Sequence, residues 1–193
     1  QDIFGNWTEY EVRNTYKQNL IDEFGIVKVW KAETHLISSC NIDGSTMNQI
    51  NPSVVVYTYT TQDGQVGKIY SAYELGQSTI ETTDIFGNTT TTRTKNGYII
   101  TGAGAPKVSY TRTYSASLNL DGSKSVSISC VNYSYTAQGV LNGMSEGTVS
   151  LGTLVTELRG IEGFEGITIT TLREKFNLPQ TASSYKGTLS YSE

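Results

Sequence analysis

The sequence predicts an all-β protein of one domain, residues 1–193, folded as an antiparallel meander of about ten strands. The meander is expected to form a closed barrel or a two-sheet sandwich, with at most one or two short helices. Three observations predict this class. Apolar and polar residues alternate along most of the chain, the alternating segments are rich in Val, Ile, Thr and Tyr, and Asp-Gly or Asn-Gly pairs separate them.

The central part of the chain gives the clearest strands. They are expected at residues 54–59, 66–73, 78–83, 89–95, 98–100, 108–120 and 124–136. Turns are expected between them at residues 62–65, 84–88, 96–97 and 121–123. Pairs such as Asp63-Gly64 favour tight turns because they accept the positive φ that such hairpins need. The Gly-rich residues 102–106 are expected to form an internal loop.

The apolar pattern changes phase within the last of these strands. Val126 and Ile128 share one face with Cys130, whereas Val131 and Tyr133 share the other face. Because successive strand residues point to opposite faces, this change predicts a β-bulge near Cys130.

Patterns nearer the ends of the chain are weaker. Strands are expected at residues 7–16, 25–32, 35–40, 168–172 and 188–191. Leu151, Leu154, Val155 and Leu158 follow helical spacing, so a short helix competes with a strand at that point.

Composition excludes some partners and favours one location. Only 17% of the residues are charged, the formal net charge is −4, and Lys and Arg do not cluster, so we expect no nucleic-acid surface. No apolar run reaches the roughly 18 residues of a membrane span, so none is expected. Low charge with abundant Thr, Ser, Gly and Tyr is typical of an exported β-protein. A start at Gln1 suits a processed N-terminus, and we expect a secreted or cell-surface location.

The sequence contains two cysteines, Cys40 and Cys130. In an exported β-protein such a pair predicts one disulfide. Closing a loop of this length would stabilise the fold by roughly 4–5 kcal/mol in the chain-entropy model.

Reactive constellations are sparse in the sequence. His35 is the sole histidine, and no G-x-S-x-G elbow is present, so a nucleophile–histidine arrangement is not expected. One His and two Cys cannot assemble a structural zinc set, and we expect no metal and no cofactor. Glu157, Glu162 and Glu165 are the main acidic group outside the turns. The protein is therefore expected not to be an enzyme, although a carboxylate-only glycosidase or an isomerase-like barrel stays open.

Aromatic residues are the best indication of a binding surface, because exposed Tyr and Trp stack on sugars or anchor protein interfaces. The candidates lie on predicted strands and are Trp7, Trp30, Tyr57, Tyr59, Tyr110, Tyr114, Tyr133 and Tyr135. The competing interpretation places many of them in the core or in cross-strand pairs.

The tripeptide Gly5-Asn6-Trp7 resembles the G-x-W that opens the first strand of lipocalin-type barrels. The resemblance implies an antiparallel barrel that holds a small apolar ligand in its mouth. It also implies a closing Arg packed on Trp7, for which Arg159 and Arg173 are both candidates.

Four functions follow as hypotheses. The first is an extracellular structural, assembly or adhesive subunit that self-assembles through edge strands with few charges, such as Thr89–Thr92. The second is a lipocalin-like barrel for a small apolar ligand. The third is a carbohydrate-binding domain that uses exposed Tyr and Trp, and the fourth is the enzyme described above.

Overall fold

A computed structural model of the chain describes residues 5–62 and 64–192. Gln1 and the turn residue Asp63 lie outside the described residues. Strands make up 54% of the structure and helices 12%, and the sheets are antiparallel, which confirms the mostly β prediction. The elements are β1 (Trp7–Tyr16), α1 (Gln18–Phe24), β2 (Val29–Cys40), β3 (Thr46–Asn51), β4 (Ser53–Tyr59), β5 (Ile69–Glu74), β6 (Ser78–Thr83), β7 (Thr89–Ile100), β8 (Pro106–Leu118), β9 (Lys124–Tyr135), β10 (Leu141–Glu146), β11 (Thr148–Ser150), α2 (Leu151–Arg159), α3 (Ile169–Lys175), β12 (Ser184–Lys186) and β13 (Thr188–Ser192).

These strands form two large sheets and one small one. The first sheet has the order β1-β2-β4-β5, and the second has the order β10-β9-β8-β7-β6-β3, with β13 also paired to β9. Strands β11 and β12 form a two-stranded sheet. Among the described residues none of the sheets closes on itself, and three short helices are present where at most two were expected.

Two side chains join the first and second sheets. Gln49 of β3 accepts a hydrogen bond from the backbone N–H of Leu36 in β2 at 2.8 Å, and its amide donates to the carbonyl of Thr34 at 3.3 Å. Glu74 of β5 is buried and accepts hydrogen bonds from the Ser53 hydroxyl and from the backbone N–H of Asn96 in β7. Gln49 and Glu74 thus satisfy backbone donors where no neighbouring strand does.

The main apolar core lies between one face of the second sheet and the C-terminal segment. Tyr114, Ala116, Val126 and Ile128 supply the sheet side of this core, and α2 and α3 cover it. The helical spacing of Leu151, Leu154, Val155 and Leu158 is confirmed, since all four side chains of α2 are buried. Ser150 caps the start of α2 by accepting from the N–H of Thr153 at 3.1 Å.

The end of α2 is held by a strand of the second sheet. The guanidinium of Arg93 in β7 donates to the carbonyl of Glu157 at 2.8 Å and also to the carbonyl of Gly160. These carbonyls belong to the last turn of the helix, where backbone acceptors lack helical partners and a positive charge is favourable. Arg93 therefore fixes α2 on the sheet.

Three expectations for local structure are wrong. Residues 168–172 form the N-cap and the start of helix α3 instead of a strand, because Leu172 and Phe176, one helical turn apart, both bury their side chains in the core. Asn96-Gly97 is not a turn: β7 continues through it, with a register shift against β8. A Cβ at Gly97 would overlap the ring of Tyr110, so glycine is needed there for close packing.

The expected bulge near Cys130 is also wrong, since β8 and β9 keep an unbroken register from Tyr110–Asn132 to Leu118–Lys124. The pattern instead marks a change of partner on the other edge of β9. Residues 125–129 pair with β13, and residues 131–135 pair with β10.

The expected disulfide is not formed. Cys40 ends β2 in the first sheet and is exposed, whereas Cys130 is buried in β9 of the second sheet. Both residues are free thiols, and Cys130 packs against Gly147, where an added Cβ would overlap its sulfur.

Candidate functional site

Strand β1 is the most exposed regular element of the molecule. All ten of its residues are exposed, and it is the terminal strand of the first sheet, so its outer edge has no partner strand among the described residues. Polar and apolar residues alternate from Trp7 to Tyr16, which explains why this segment forms a strand. Strand β2 pairs with only one of its two edges. The backbone groups on the other edge are available for pairing with another chain.

The register of β1 against β2 assigns its side chains to two sides. Tyr10, Val12 and Asn14 lie opposite Leu36, Thr34 and Ala32. Asn14 and Ala32 also line a cleft, so we call this the cleft side. Tyr10 is 50% exposed and Val12 is 58% exposed, which is high for apolar side chains on a sheet.

The opposite side of β1 carries charge, and we call it the charged side. Glu11 lies opposite His35, and Arg13 lies opposite Glu33 in the register with β2. The Arg13 guanidinium donates to the Glu11 carboxylate at 2.8 Å. This hydrogen bond lowers the pKa of Glu11 and raises the pKa of Arg13, so both side chains stay ionised at neutral pH.

The cleft has a volume of about 830 Å³. It lies between the cleft side of the first sheet and the Gly-rich segment 102–106. The predicted internal loop is found there, since residues 101–105 link β7 to β8 and Pro106 begins β8. Tyr16, Tyr57 and Tyr59 contribute its aromatic lining. The hydroxyl of Tyr59 donates to the carbonyl of Val29 at 2.7 Å, and burial raises the pKa of both Tyr57 and Tyr59.

Polar groups complete the lining of the cleft. Asn14, Lys28 and Lys68 contribute side chains, and the glycines at 102 and 104 contribute backbone. Of the residues that the structure describes, no Asp or Glu lines this cleft. The cleft can therefore stack on a flat ligand face and hydrogen-bond its rim, but it lacks the carboxylate pair that glycoside hydrolysis needs.

The eight aromatic candidates do not come together. Tyr57 and Tyr59 line the cleft, whereas Trp7 and Trp30 lie elsewhere in the first sheet, at 38% and 39% exposed. Tyr114 is 1% exposed, so it is a core residue and not a candidate for binding.

The remaining three candidates belong to the second sheet. Tyr110 packs under the Arg112 guanidinium, 4.7 Å from its ring centre. Tyr135 donates its hydroxyl to the carbonyl of Val108 at 2.8 Å, and Tyr133 lies two residues earlier on β9. The structure thus divides the predicted aromatic surface into separate sets.

Thr89–Thr92 does not form an edge. This segment starts β7, which lies inside the second sheet between β6 and β8. Thr90 is hydrogen-bonded to the Ser117 hydroxyl at 2.8 Å, and Thr92 to the Ser115 hydroxyl at 3.0 Å. The expected assembly edge is therefore wrong in position. The terminal strands of the two large sheets are β1, β5, β10 and β3, and of these β1 is the longest and is exposed at every residue.

The residues that the lipocalin resemblance implied are arranged differently. Trp7 lies on the exposed strand β1. Arg159 donates to the carbonyl of Ile167 at 2.7 Å, and Arg173 donates to the carbonyl of Ala182, so both are engaged in the C-terminal helical segment. The packed Trp–Arg pair of that family is not reproduced here.

Within residues 5–62 and 64–192, no three His, Cys, Asp or Glu side chains are grouped so that they could hold a metal ion. No described helix has the length and apolar character to cross a membrane. Comparison with protein-family models, curated proteins and solved structures finds no match to this chain.

Tyr10, Val12, Glu11 and Arg13 are functional candidates that the sequence did not single out. The alternation of polar and apolar residues in 7–16 predicted the strand correctly. The position of β1 at the end of the first sheet could not be predicted, because the order of strands depends on pairing between distant segments.

Proposed function

We propose that this chain is a secreted or cell-surface, non-catalytic assembly or adhesive subunit, which pairs the free edge of β1 with a strand of another molecule. The observation that carries the proposal is the exposure of all ten residues of β1 at an unpaired sheet edge. Addition of a strand to such an edge satisfies its backbone groups and covers its side chains.

The side chains of β1 favour pairing with a strand of another molecule, because they lack most of the features that prevent such pairing. Soluble proteins commonly protect edges with charged side chains, especially Lys, with Pro or with short strands. Strand β1 is ten residues long and holds no Lys or Pro, and its three charged residues, Glu9, Glu11 and Arg13, occupy alternate positions and so leave the cleft side uncharged. Val12 and Tyr10 on its cleft side are half-exposed or more. A partner strand that brought its own apolar residues alongside would remove this surface from water.

The proposal is tested with two matched variants. Val12→Lys places a protective charge on β1, whereas Val140→Lys makes the same change at a loop residue of similar exposure, 63% against 58%. Light scattering and negative-stain microscopy over a concentration series are expected to show oligomers for the unmodified chain and for Val140→Lys. Val12→Lys is expected to remain monomeric. An unmodified chain that is monomeric at every concentration contradicts the proposal.

The cleft supports a second candidate function, the binding of carbohydrate. Its volume of about 830 Å³, its tyrosines and its polar rim suit a sugar better than a purely apolar ligand. Tyr57→Ala is expected to abolish hits on a glycan array. Tyr73→Ala is the control, because Tyr73 pairs with Val56 whereas Tyr57 pairs with Ala72, which places the two tyrosines on opposite faces. Equal binding by both variants contradicts this candidate.

For the fold itself we infer an interrupted barrel in preference to a sandwich. The ring would run β2-β4-β5-β7-β6-β3, with Gln49 and Glu74 bridging its two seams by side-chain hydrogen bonds. Hydrogen exchange tests this arrangement. The Leu36 amide is expected to lose protection in Gln49→Ala and the Asn96 amide in Glu74→Ala, while unchanged exchange at both amides contradicts the seams.

A further inference from the structure

We infer that the partner of β1 is a second copy of this chain, paired antiparallel about a two-fold axis at Val12. The inference rests on the proposed function, and it adds the identity of the partner and the register of pairing. In this register the residue that lies n positions before Val12 faces the residue that lies n positions after Val12 in the second copy. A two-fold interface of this kind uses the same patch on both copies.

The backbone of β1 is regular at the proposed axis. Its register with β2 runs without interruption from Tyr10–Leu36 to Thr15–Lys31, and shifts occur only before Tyr10 and after Thr15. Val12 is near the middle of this regular stretch. Two such stretches can therefore form an antiparallel ladder around Val12 without a bulge.

Charge complementarity selects the register. On the charged side, Glu11 of each copy lies opposite Arg13 of the other, which gives two opposite-charge pairs. Moving the axis to residue 11 places Glu11 opposite Glu11 of the second copy, although Glu9 then faces Arg13. Moving it to residue 13 places Arg13 opposite Arg13. Only the register centred on Val12 combines two opposite-charge pairs with no like-charge pair, since Glu9 there faces Thr15. Like charges directly opposite destabilise a strand pair, so the register centred on Val12 is favoured over both neighbours.

Val12 and Tyr10 fit the same register on the cleft side. Val12 faces Val12 of the second copy, and Tyr10 faces Asn14. Pairing would join two four-stranded sheets into one continuous sheet with the cleft sides on the same face. A single strand pair is smaller than a standard protein interface, so a concentration-dependent dimer is expected.

The exposed ion pair within each chain does not prevent this exchange. The side chains of Glu11 and Arg13 are 45% and 59% exposed, and their charged groups lie 2.7 Å apart. An exposed pair of this kind contributes little in water and is screened by salt. Glu11 and Arg13 can therefore exchange their contact within one chain for contacts with Arg13 and Glu11 of the second copy. Because these contacts are also screened by salt, the dimer is expected to weaken as salt is added.

Charge reversal provides the test, with sedimentation velocity as the readout and circular dichroism as the check on folding. Arg13→Glu alone and Glu11→Arg alone each place like charges opposite one another twice, and each is expected to weaken dimerisation by roughly tenfold or more. In an equimolar mixture of the two variants every pair is again opposite in charge. The mixture is therefore expected to form heterodimers, and the double variant Glu11→Arg/Arg13→Glu to dimerise like the unmodified chain.

The outcomes separate this inference from the function on which it rests. Dimers that form equally well in both single variants, with no gain on mixing, overturn the register while leaving assembly intact. An unmodified chain that is monomeric at all concentrations removes both. Loss of dimers in the single variants without recovery in the mixture also overturns the register, because the complementary pairs would then have no effect.

Discussion

Gln49 accepts a hydrogen bond from the backbone N–H of Leu36 at 2.8 Å, and this bond joins strands that belong to different sheets. The Gln49 amide also donates to Thr34 on the same strand of the first sheet. One polar side chain therefore takes the place of a strand-to-strand ladder at this seam.

Gln49→Leu is expected to lower the free energy of unfolding by about 1–3 kcal/mol, because it leaves the N–H of Leu36 without its partner. Urea unfolding measures the change. Asn48→Ala is the matched control, since Asn48 is the exposed neighbour on the other face of β3. Equal losses in the two variants would show that the seam contributes nothing specific.

Arg93→Lys is expected to loosen α2 from the second sheet. Lysine keeps the positive charge but lacks the fork that reaches the carbonyls of Glu157 and Gly160 together. We expect a loss of about 1–2 kcal/mol and faster proteolysis within residues 151–176. Lys107→Arg, a conservative change elsewhere on the second sheet, serves as the control, and unchanged proteolysis in Arg93→Lys contradicts the role of Arg93.

Tyr114 makes the stability depend on alkaline pH. Burial, assisted by the negative charge of Glu157, raises its pKa to about 12 from an ordinary value near 10. Its folded pKa exceeds its unfolded pKa, so its contribution is complete below about pH 10 and is lost as the pH rises through about 12. Tyr114→Phe is expected to flatten this fall.

Denaturant unfolding between neutral pH and pH values above the ordinary tyrosine pKa measures the effect. Tyr70→Phe is the control, because Tyr70 is 64% exposed. The same pH dependence in the Tyr114→Phe variant and in the unmodified chain would contradict the assignment.

The reactivity of the two cysteine thiols tests whether Cys40 and Cys130 are free or joined in a disulfide. Cys40 is exposed and Cys130 is buried, and both are free. A thiol reagent is expected to modify Cys40 in the native protein and both cysteines after unfolding without reductant. Finding no reactive thiol in the unfolded, unreduced protein would establish the disulfide and contradict the structure at this point.

Local patterns predicted much of the fold. The hairpin that joins residues 108–118 to 124–135 could be placed from its alternation and its Asp-Gly turn, and the helical spacing from Leu151 to Leu158 identified α2. Each of these elements is determined by residues close together in the sequence. They could therefore be predicted without knowledge of their neighbours.

The errors arose where tertiary packing overrides a local preference. Asn96-Gly97 is a strong turn pair, yet Gly97 stays in β7 because the Tyr110 ring lies against it. The Thr-rich start of α3 favours a strand, but burial of Leu172 and Phe176 makes it a helix. The candidate site was missed for the same reason. The edge of β1 is free because β2 pairs with β1 on one side and with β4 on the other, and this pairing of distant segments cannot be inferred from local patterns.

Hydrogen exchange of the β1 amides as a function of protein concentration tests the central claim most directly. If β1 pairs with a strand of another molecule, the β1 amides that face away from β2 are expected to gain protection as the concentration rises, while those of the helical segment 151–176 stay unchanged. Rapid exchange of the outward-facing β1 amides at every concentration, including conditions in which oligomers form, would contradict the account.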